Sequence, residues 1–180
     1  GTKRLSQLIK PGQKIALIVT DISRKLPEEI ILPILLDEIE RAGVSLDHVK
    51  GVIATGTHRP NTREEIIEMF GQDVFDRIEF INHDAFDEGQ LTHLGYSQRG
   101  IPLVTNKFVA EADVRISTGV VETHLFAGYS GGVKSVAVGV AGEATIAATH
   151  NVEMLEHPST RLGVIDGNLF RDFLTEATQT

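Results

Sequence analysis

The sequence predicts an α/β fold, a mostly parallel sheet with helices on both faces, Rossmann-like. Three observations carry this. Two continuous apolar, β-branched runs, Lys14 to Thr20 and Val49 to Thr55, have the pattern of strands buried on both faces. Each is followed by a polar turn and then a helical segment. Polar residues stand at the same end of both units, Asp21 and Arg24 after the first run and His58 and Arg59 after the second, where open α/β sheets place their ligands.

The elements follow in order. After the first run, Pro27 stands at a helix start, Glu28 and Glu29 suit the positive end of the helix dipole, and Gly43 closes the helix. Pro33 falls inside this segment and is expected to kink it or shift its start, since a proline in a regular interior costs roughly 3 kcal/mol. After the second run, Thr62 followed three residues later by Glu65 is a capping-box signature, and Gly71 ends that helix. Ile78 to Asn82 reads as a further strand. Leu91 to Gly95 and Ile101 to Asn106 are candidates to pair across the intervening loop. Val114 to Ser117 is a strand candidate, Glu143 to Asn151 reads as a helix with His150 near its end, and the last segment as a turn and helix.

With 180 residues, 41% hydrophobic and 23% charged, the chain has ordinary globular values, and one α/β domain over residues 1–180 is expected. No apolar run approaches the roughly 18 residues of a membrane span, and the N-terminal residues lack the apolar centre of a signal peptide, so the expected location is cytoplasmic. The absence of cysteine excludes disulfides, thiolate nucleophiles and Cys-based metal sites; any metal must use histidine, carboxylate or a cofactor's own atoms. A formal net charge of -8 argues against nucleic acid and favours a small-molecule partner.

Gly119 to Gly142 is the stretch on which the candidate site is placed. It carries His124, then a glycine-rich turn, Gly128 to Gly132, that ends in Lys134. Glycine lets the backbone come close to a ligand, and a loop-to-helix junction aims N–H groups outward. The string S-G-G-V-K-S is superficially similar to a P-loop, but that motif needs glycine directly before the lysine, and Val133 stands there. Among the seven histidines, His48 and His157 sit in surface-like contexts and His83 and His93 differ little, whereas His58, His124 and His150 lie in or near Gly/Thr-rich loops or a helix end. Read one at a time, a histidine of this kind is more often structural or merely exposed than catalytic. No H-x-x-x-H or H-E-x-x-H spacing supports a zinc hydrolase.

Taken together, T-G-T-H-R-P at 55–60, E-T-H-L-F-A-G-Y-S-G-G-V-K-S at 122–135, G-V-A-G-E-A-T-I at 139–146 and T-H-N at 149–151 resemble the nickel-pincer lactate racemase family, whose members interconvert stereoisomers of 2-hydroxy acids. The resemblance runs from about Lys14 to Phe170 and covers the family's N-terminal catalytic domain, which implies that a C-terminal domain is absent here. It implies a nickel-pincer nucleotide, a pyridinium mononucleotide holding nickel between two sulfurs and a carbon, joined to Lys134 through a thioamide. It further implies His150 as the nickel ligand, His58 and His124 as the pair exchanging the substrate hydroxyl proton from opposite sides, and Arg24 as a carboxylate-binding residue beside the substrate. Asp21 and the turn Ser130, Gly131 and Gly132 would lie against the cofactor. The implied chemistry is proton-coupled hydride transfer, and the implied partners are a lactate-like 2-hydroxy acid and the cofactor-synthesis proteins. Thr123, Val133 and the segment Lys25-Leu26-Pro27 depart from the family's usual pattern, which leaves the substrate acid open. The competing reading is a non-catalytic domain that binds a nucleotide-like anion at the glycine-rich turn.

Overall fold

The computed structural model describes residues 2–180. Ile15–Val19 forms β1, and all five of its residues are buried. Its side chains alternate as strand geometry requires: Ile15, Leu17 and Val19 enter one core, Ala16 and Ile18 the other. Val49–Ile53 forms β2, Glu79–Asn82 β3 and Val114–Ser117 β6. These make a four-stranded sheet in the order β3-β2-β1-β6 with every neighbouring pair parallel. The chain winds from β1 out to β3 and then returns to the far side of β1. The winding direction therefore reverses between β1 and β6, and the loops after these two strands part to leave a crevice.

Helices cover both faces, as the apolar runs require. On one face lie α1 (Glu28–Arg41), α2 (Arg63–Phe70) and α3 (Gln72–Arg77), packing Leu32, Leu36, Ile39, Ile66, Phe70 and Val74 against β1 and β2. On the other, α4 (Lys107–Glu111) and α5 (Val133–Ala137) bring Val109 and Val136 onto Ala16, Ile18 and Val52. A further core gathers Ile101, Leu103, Ala127, Ala137 and Met154 around Phe170, Phe173 and Leu174, supplied by α7 (Val152–Leu155) and α8 (Leu169–Ala177). The strands β4 (Leu91–Tyr96) and β5 (Pro102–Asn106) pair antiparallel, with a register shift between His93 and Gly95, and α6 (Glu143–Thr149) follows the glycine-rich stretch. Among the described residues, no helix is long and apolar enough to cross a membrane.

One expectation is corrected and one is borne out. α1 runs continuously through Pro33. The N–H that proline lacks would have bonded the carbonyl of Glu29, an exposed residue near the helix start, where solvent can reach the orphan group. The capping box is formed: Thr62 Oγ1 accepts from Glu65 N at 3.2 Å, and Glu65 accepts from Thr62 N at 2.8 Å.

Glu28 does more than complement a dipole. It is 1% exposed, accepts from Thr118 Oγ1 at 2.6 Å and Thr20 Oγ1 at 3.3 Å, and so ties the start of α1 to the ends of β1 and β6. Among the described residues, no cation pairs with it. Burial pushes its carboxyl above the usual range, opposed by the hydrogen bonds from Thr118 and Thr20. A raised folded-state pKa means that this group's stability contribution is present at low pH and is lost as pH rises through the folded value. Glu28→Gln keeps an acceptor for Thr118 and offers an N–H to Thr20 without the charge. We expect it to stabilise the chain above pH 5 by on the order of 1 kcal/mol, read as a rise in the urea midpoint at neutral pH that fades on acidification.

Candidate active site at the β1/β6 crevice

A cleft of about 240 Å³ opens at the carboxyl ends of the strands, between the loops that follow β1, β2 and β6. Its wall holds Asp21, Arg24, His58, Ser130, Gly131, Lys134 and His150. Residues up to 129 positions apart in sequence are thus brought together by the parallel register, which aligns the strand ends. The loop after β2 is pinned by Gly56 N, which donates to the carbonyl of Gly139 at 2.9 Å, so the segments carrying His58 and Lys134 are coupled through the backbone.

His58 is exposed on its outer side, but its Nδ1 lies 2.6 Å from Oδ2 of Asp21, which is 4% exposed. The other carboxylate oxygen accepts from Ser23 Oγ at 2.5 Å and Ser23 N at 3.2 Å, an Asx-type turn that holds the acid in place. A carboxylate only accepts, so His58 carries its proton on Nδ1 and leaves the Nε2 lone pair open. Arg24, on the same loop, lies 3.6 Å from Glu122 across the crevice, with both side chains largely in water.

Lys134 is the second residue of α5. Burial, then the positive charge of Arg24, pushes its ammonium below the usual lysine range, while Asp21 opposes the shift. A partly buried lysine without a hydrogen-bonded carboxylate is primed to lose its proton and act as a nucleophile. His150 caps the end of α6. Its Nδ1 lies 2.9 Å from the carbonyl of Ile146, which fixes the proton on Nδ1 and frees Nε2 as a ligand atom. Burial is the main cause holding it below the usual histidine range.

His124 lies on a small hairpin, β7 (Thr123–His124) paired with β8 (Gly128–Tyr129), beside the wall formed by the other residues. Burial, then Lys134, Arg24 and His150, push its pKa down to about 4. The hairpin depends on Gly128. Its φ is +73°, and a Cβ there would overlap the carbonyl of Val164, so neither the conformation nor the space admits a side chain. Ser130 is committed within its loop: its hydroxyl donates to Val120 O at 2.7 Å and accepts from Glu122 N at 2.9 Å. Gly131, at φ +70°, packs against that same Val120 carbonyl, and Gly132 precedes α5 in an exposed position.

Four residues that the sequence did not assign to the site support it. Ser23 and Glu28 hold the loop after β1, and Glu122 pairs Arg24. His83 is 2% exposed and bridges to the Ala141 carbonyl at 2.8 Å, which ties β3 to the segment entering α6. Of these, only Ser23 had a local signal, the Asp-x-Ser spacing of a side-chain turn. His48 and His93 are exposed, and His157 bonds Ser159 within its own loop.

His83, His124 and His150 are all held below the ordinary histidine value. The folded state resists protons that the unfolded chain takes up near pH 6.5, so stability is full above that value and falls as pH drops. For His124 the fall continues to about pH 4. Thermal melts across this range are expected to slope downward with acid, and His124→Gln to slope less; equal slopes would contradict the assignment.

Comparison with known proteins bears on the family and the fold. The sequence model of the family described as lactate racemase N-terminal domain matches residues 1–163. The lactate racemase of Thermoanaerobacterium thermosaccharolyticum is 39% identical over 178 residues, 98% of this chain and 42% of the relative. That of Lactiplantibacillus plantarum is 35% identical over 180 residues, all of this chain and 42% of the relative. The chain therefore spans well under half the length of these curated relatives. The structure of the T. thermosaccharolyticum lactate racemase apoprotein superposes with a TM-score of 0.92 at 37% identity, covering 99% of this chain and 43% of that one. A Thermotoga maritima protein shares the fold, with a TM-score of 0.80 at 24% identity, over 97% of this chain and 45% of its own. The match over nearly the whole chain, in sequence and in fold, places the protein in the lactate racemase N-terminal domain family.

Proposed function

We propose that this chain is the catalytic portion of a 2-hydroxyacid racemase or epimerase acting on a lactate-like substrate, with a nickel-pincer nucleotide attached at Lys134. The observation that carries the reading is the convergence, in one cleft, of a half-buried lysine that pairs with no carboxylate among the described residues, an imidazole with a free Nε2, an Asp-backed histidine and an arginine. The donor set fits such a group. Among the described residues no three His, Cys, Asp or Glu side chains gather as a protein-built metal site, and the chain has no cysteine. One fixed imidazole at His150 suits a metal whose remaining ligands arrive with a cofactor. The same absence of a ligand cluster disfavours a zinc hydrolase.

In this reading Lys134 supplies the covalent attachment, His150 the protein ligand, and Asp21 with the Ser130–Gly132 turn the wall against the nucleotide. When bound, the group supplies a hydride acceptor and donor. The rest falls to the chain. Arg24 leaves Glu122 and forks onto the substrate carboxylate, which orients the hydroxyl carbon. His58 removes the hydroxyl proton at Nε2, and the buried Asp21 carboxylate stabilises the imidazolium that forms. His124 faces the oxygen from the other side. The chain acts as one α/β domain, a further C-terminal domain closes the cleft, and cofactor-synthesis proteins load it in the cytoplasm.

The test is the intact mass and nickel content of the chain, extended to the length of its relatives and produced with the cofactor-making proteins. A mononucleotide-sized adduct on Lys134 with stoichiometric nickel supports the reading. An unmodified, nickel-free chain, where a lactate racemase loads under the same conditions, favours a domain that merely binds an anion at the turn.

A further inference from the structure

His58 and His124 are held in opposite proton arrangements. At His58 the partner is a carboxylate, which accepts, so the proton is on Nδ1 and the Nε2 lone pair is open. At His124 the partners are two backbone donors: the N–H groups of Phe126 and Ala127 approach Nδ1 at 3.1 and 3.2 Å. A backbone N–H only donates, so Nδ1 of His124 must be the unprotonated nitrogen and the neutral ring carries its hydrogen on Nε2.

Neither escape from this arrangement is cheap. Turning the ring over would face the two N–H groups with a C–H, and Ala127 is fully buried, so its N–H would find no water. Protonating Nδ1 would evict both donors at once. The charges around the ring act in the same direction, since Lys134, Arg24 and His150 are all basic, and the one carboxylate on the hairpin, Glu122, is paired with Arg24. Phe126 adds an edge-on ring against His124 at 5.9 Å, which restricts its rotation.

We propose that the turn His124–Ala127 is a tautomer lock: it keeps the resting His124 as a neutral Nε2–H donor, so that His58 is the single open base of the pair. The two histidines are then not interchangeable in the ligand-free site. His124 becomes a base at Nε2 only after its Nε2–H bond breaks, an Nδ1–H bond forms with solvent carrying the proton, and the turn releases both backbone N–H groups. The consequence for turnover rests on the racemase reading; the tautomer itself does not. Opening of the turn becomes the first step for the enantiomer whose hydroxyl faces His124 and, by microscopic reversibility, the last for its mirror image. Enantiomers have equal free energy, so kcat/KM is the same in both directions whatever the proton arrangement, and the lock has to be read directly.

The measurement is long-range 1H–15N correlation of the imidazole nitrogens in the ligand-free chain, with His58→Gln and His124→Gln assigning the signals. From pH 8 to about pH 5, His124 is expected to show an unprotonated Nδ1 and a protonated Nε2, and His58 the reverse while it is neutral. An Nδ1–H tautomer at His124, or its conversion to imidazolium near pH 6.5, would overturn the lock. Because neither cofactor nor activity is needed, the two ideas fail separately. Correct tautomers in a chain that never acquires the adduct would sink the racemase reading alone, and a loaded, nickel-bearing chain with the wrong His124 tautomer would sink the lock alone.

Discussion

Lys134→Ala, in the chain extended to the length of its relatives and produced with the cofactor-making proteins, is expected to lose covalent loading entirely. The attachment needs an amine that is free of its proton and held still. Burial and the neighbouring Arg24 lower the proton affinity of Lys134, and the short helix α5 together with the contacts of Gly131 fix its position at the cleft. Among the described residues, no other lysine lines the cleft. Lys134→Arg is the informative control, because it retains charge and bulk but cannot form the amide-type bond. Both variants should fold, since the side chain removed belongs to the cleft wall rather than to the cores around β1. Intact-mass spectra of the wild type and the two variants decide it, and an adduct that persists in Lys134→Ala would place the attachment elsewhere.

His58→Ala should leave the adduct and nickel content unchanged and reduce turnover of either enantiomer by roughly 10²–10⁴-fold, the usual contribution of a positioned acid or base. The residue is more than half exposed on its side chain, so its loss costs little packing. Asp21→Asn separates positioning from proton transfer. The amide oxygen still accepts from Nδ1, but it stabilises an imidazolium less well, so kcat is expected to fall, by less than in His58→Ala. Turnover at the wild-type rate in His58→Ala would remove it from the chemistry. Turnover at the wild-type rate in Asp21→Asn would reduce the pair to a structural contact.

Much of the architecture was legible because it is encoded locally. β1 needed only a continuous apolar run, and the start of α2 only the Thr62–Glu65 spacing, because each reflects bonds between near neighbours. Leu91 to Gly95 and Ile101 to Asn106 do pair, as their flanking turn suggested. Elements shorter than one or two periods were missed for the converse reason. The six residues of α3 and the two-residue strands of the β7/β8 hairpin carry no period to read. Glu28 looked like a solvated helix-dipole residue and is instead buried, since its exposure is set by where β6 returns beside β1.

The site divides in the same way. Sequence by itself determined which chemical groups are available: no thiols, one lysine after a glycine-rich turn, and three histidines and an arginine in loops at strand and helix ends. It also placed the family, because the order and spacing of several motifs survive as a linear pattern. Only the tertiary structure decided how those groups are paired. Asp21 reaches His58 across 37 positions, Arg24 reaches Glu122 across the crevice, and the backbone of residues 126 and 127 turns back onto His124. Proton positions follow from partners, and partners follow from strand register and loop closure, which side-chain identity along the chain does not encode.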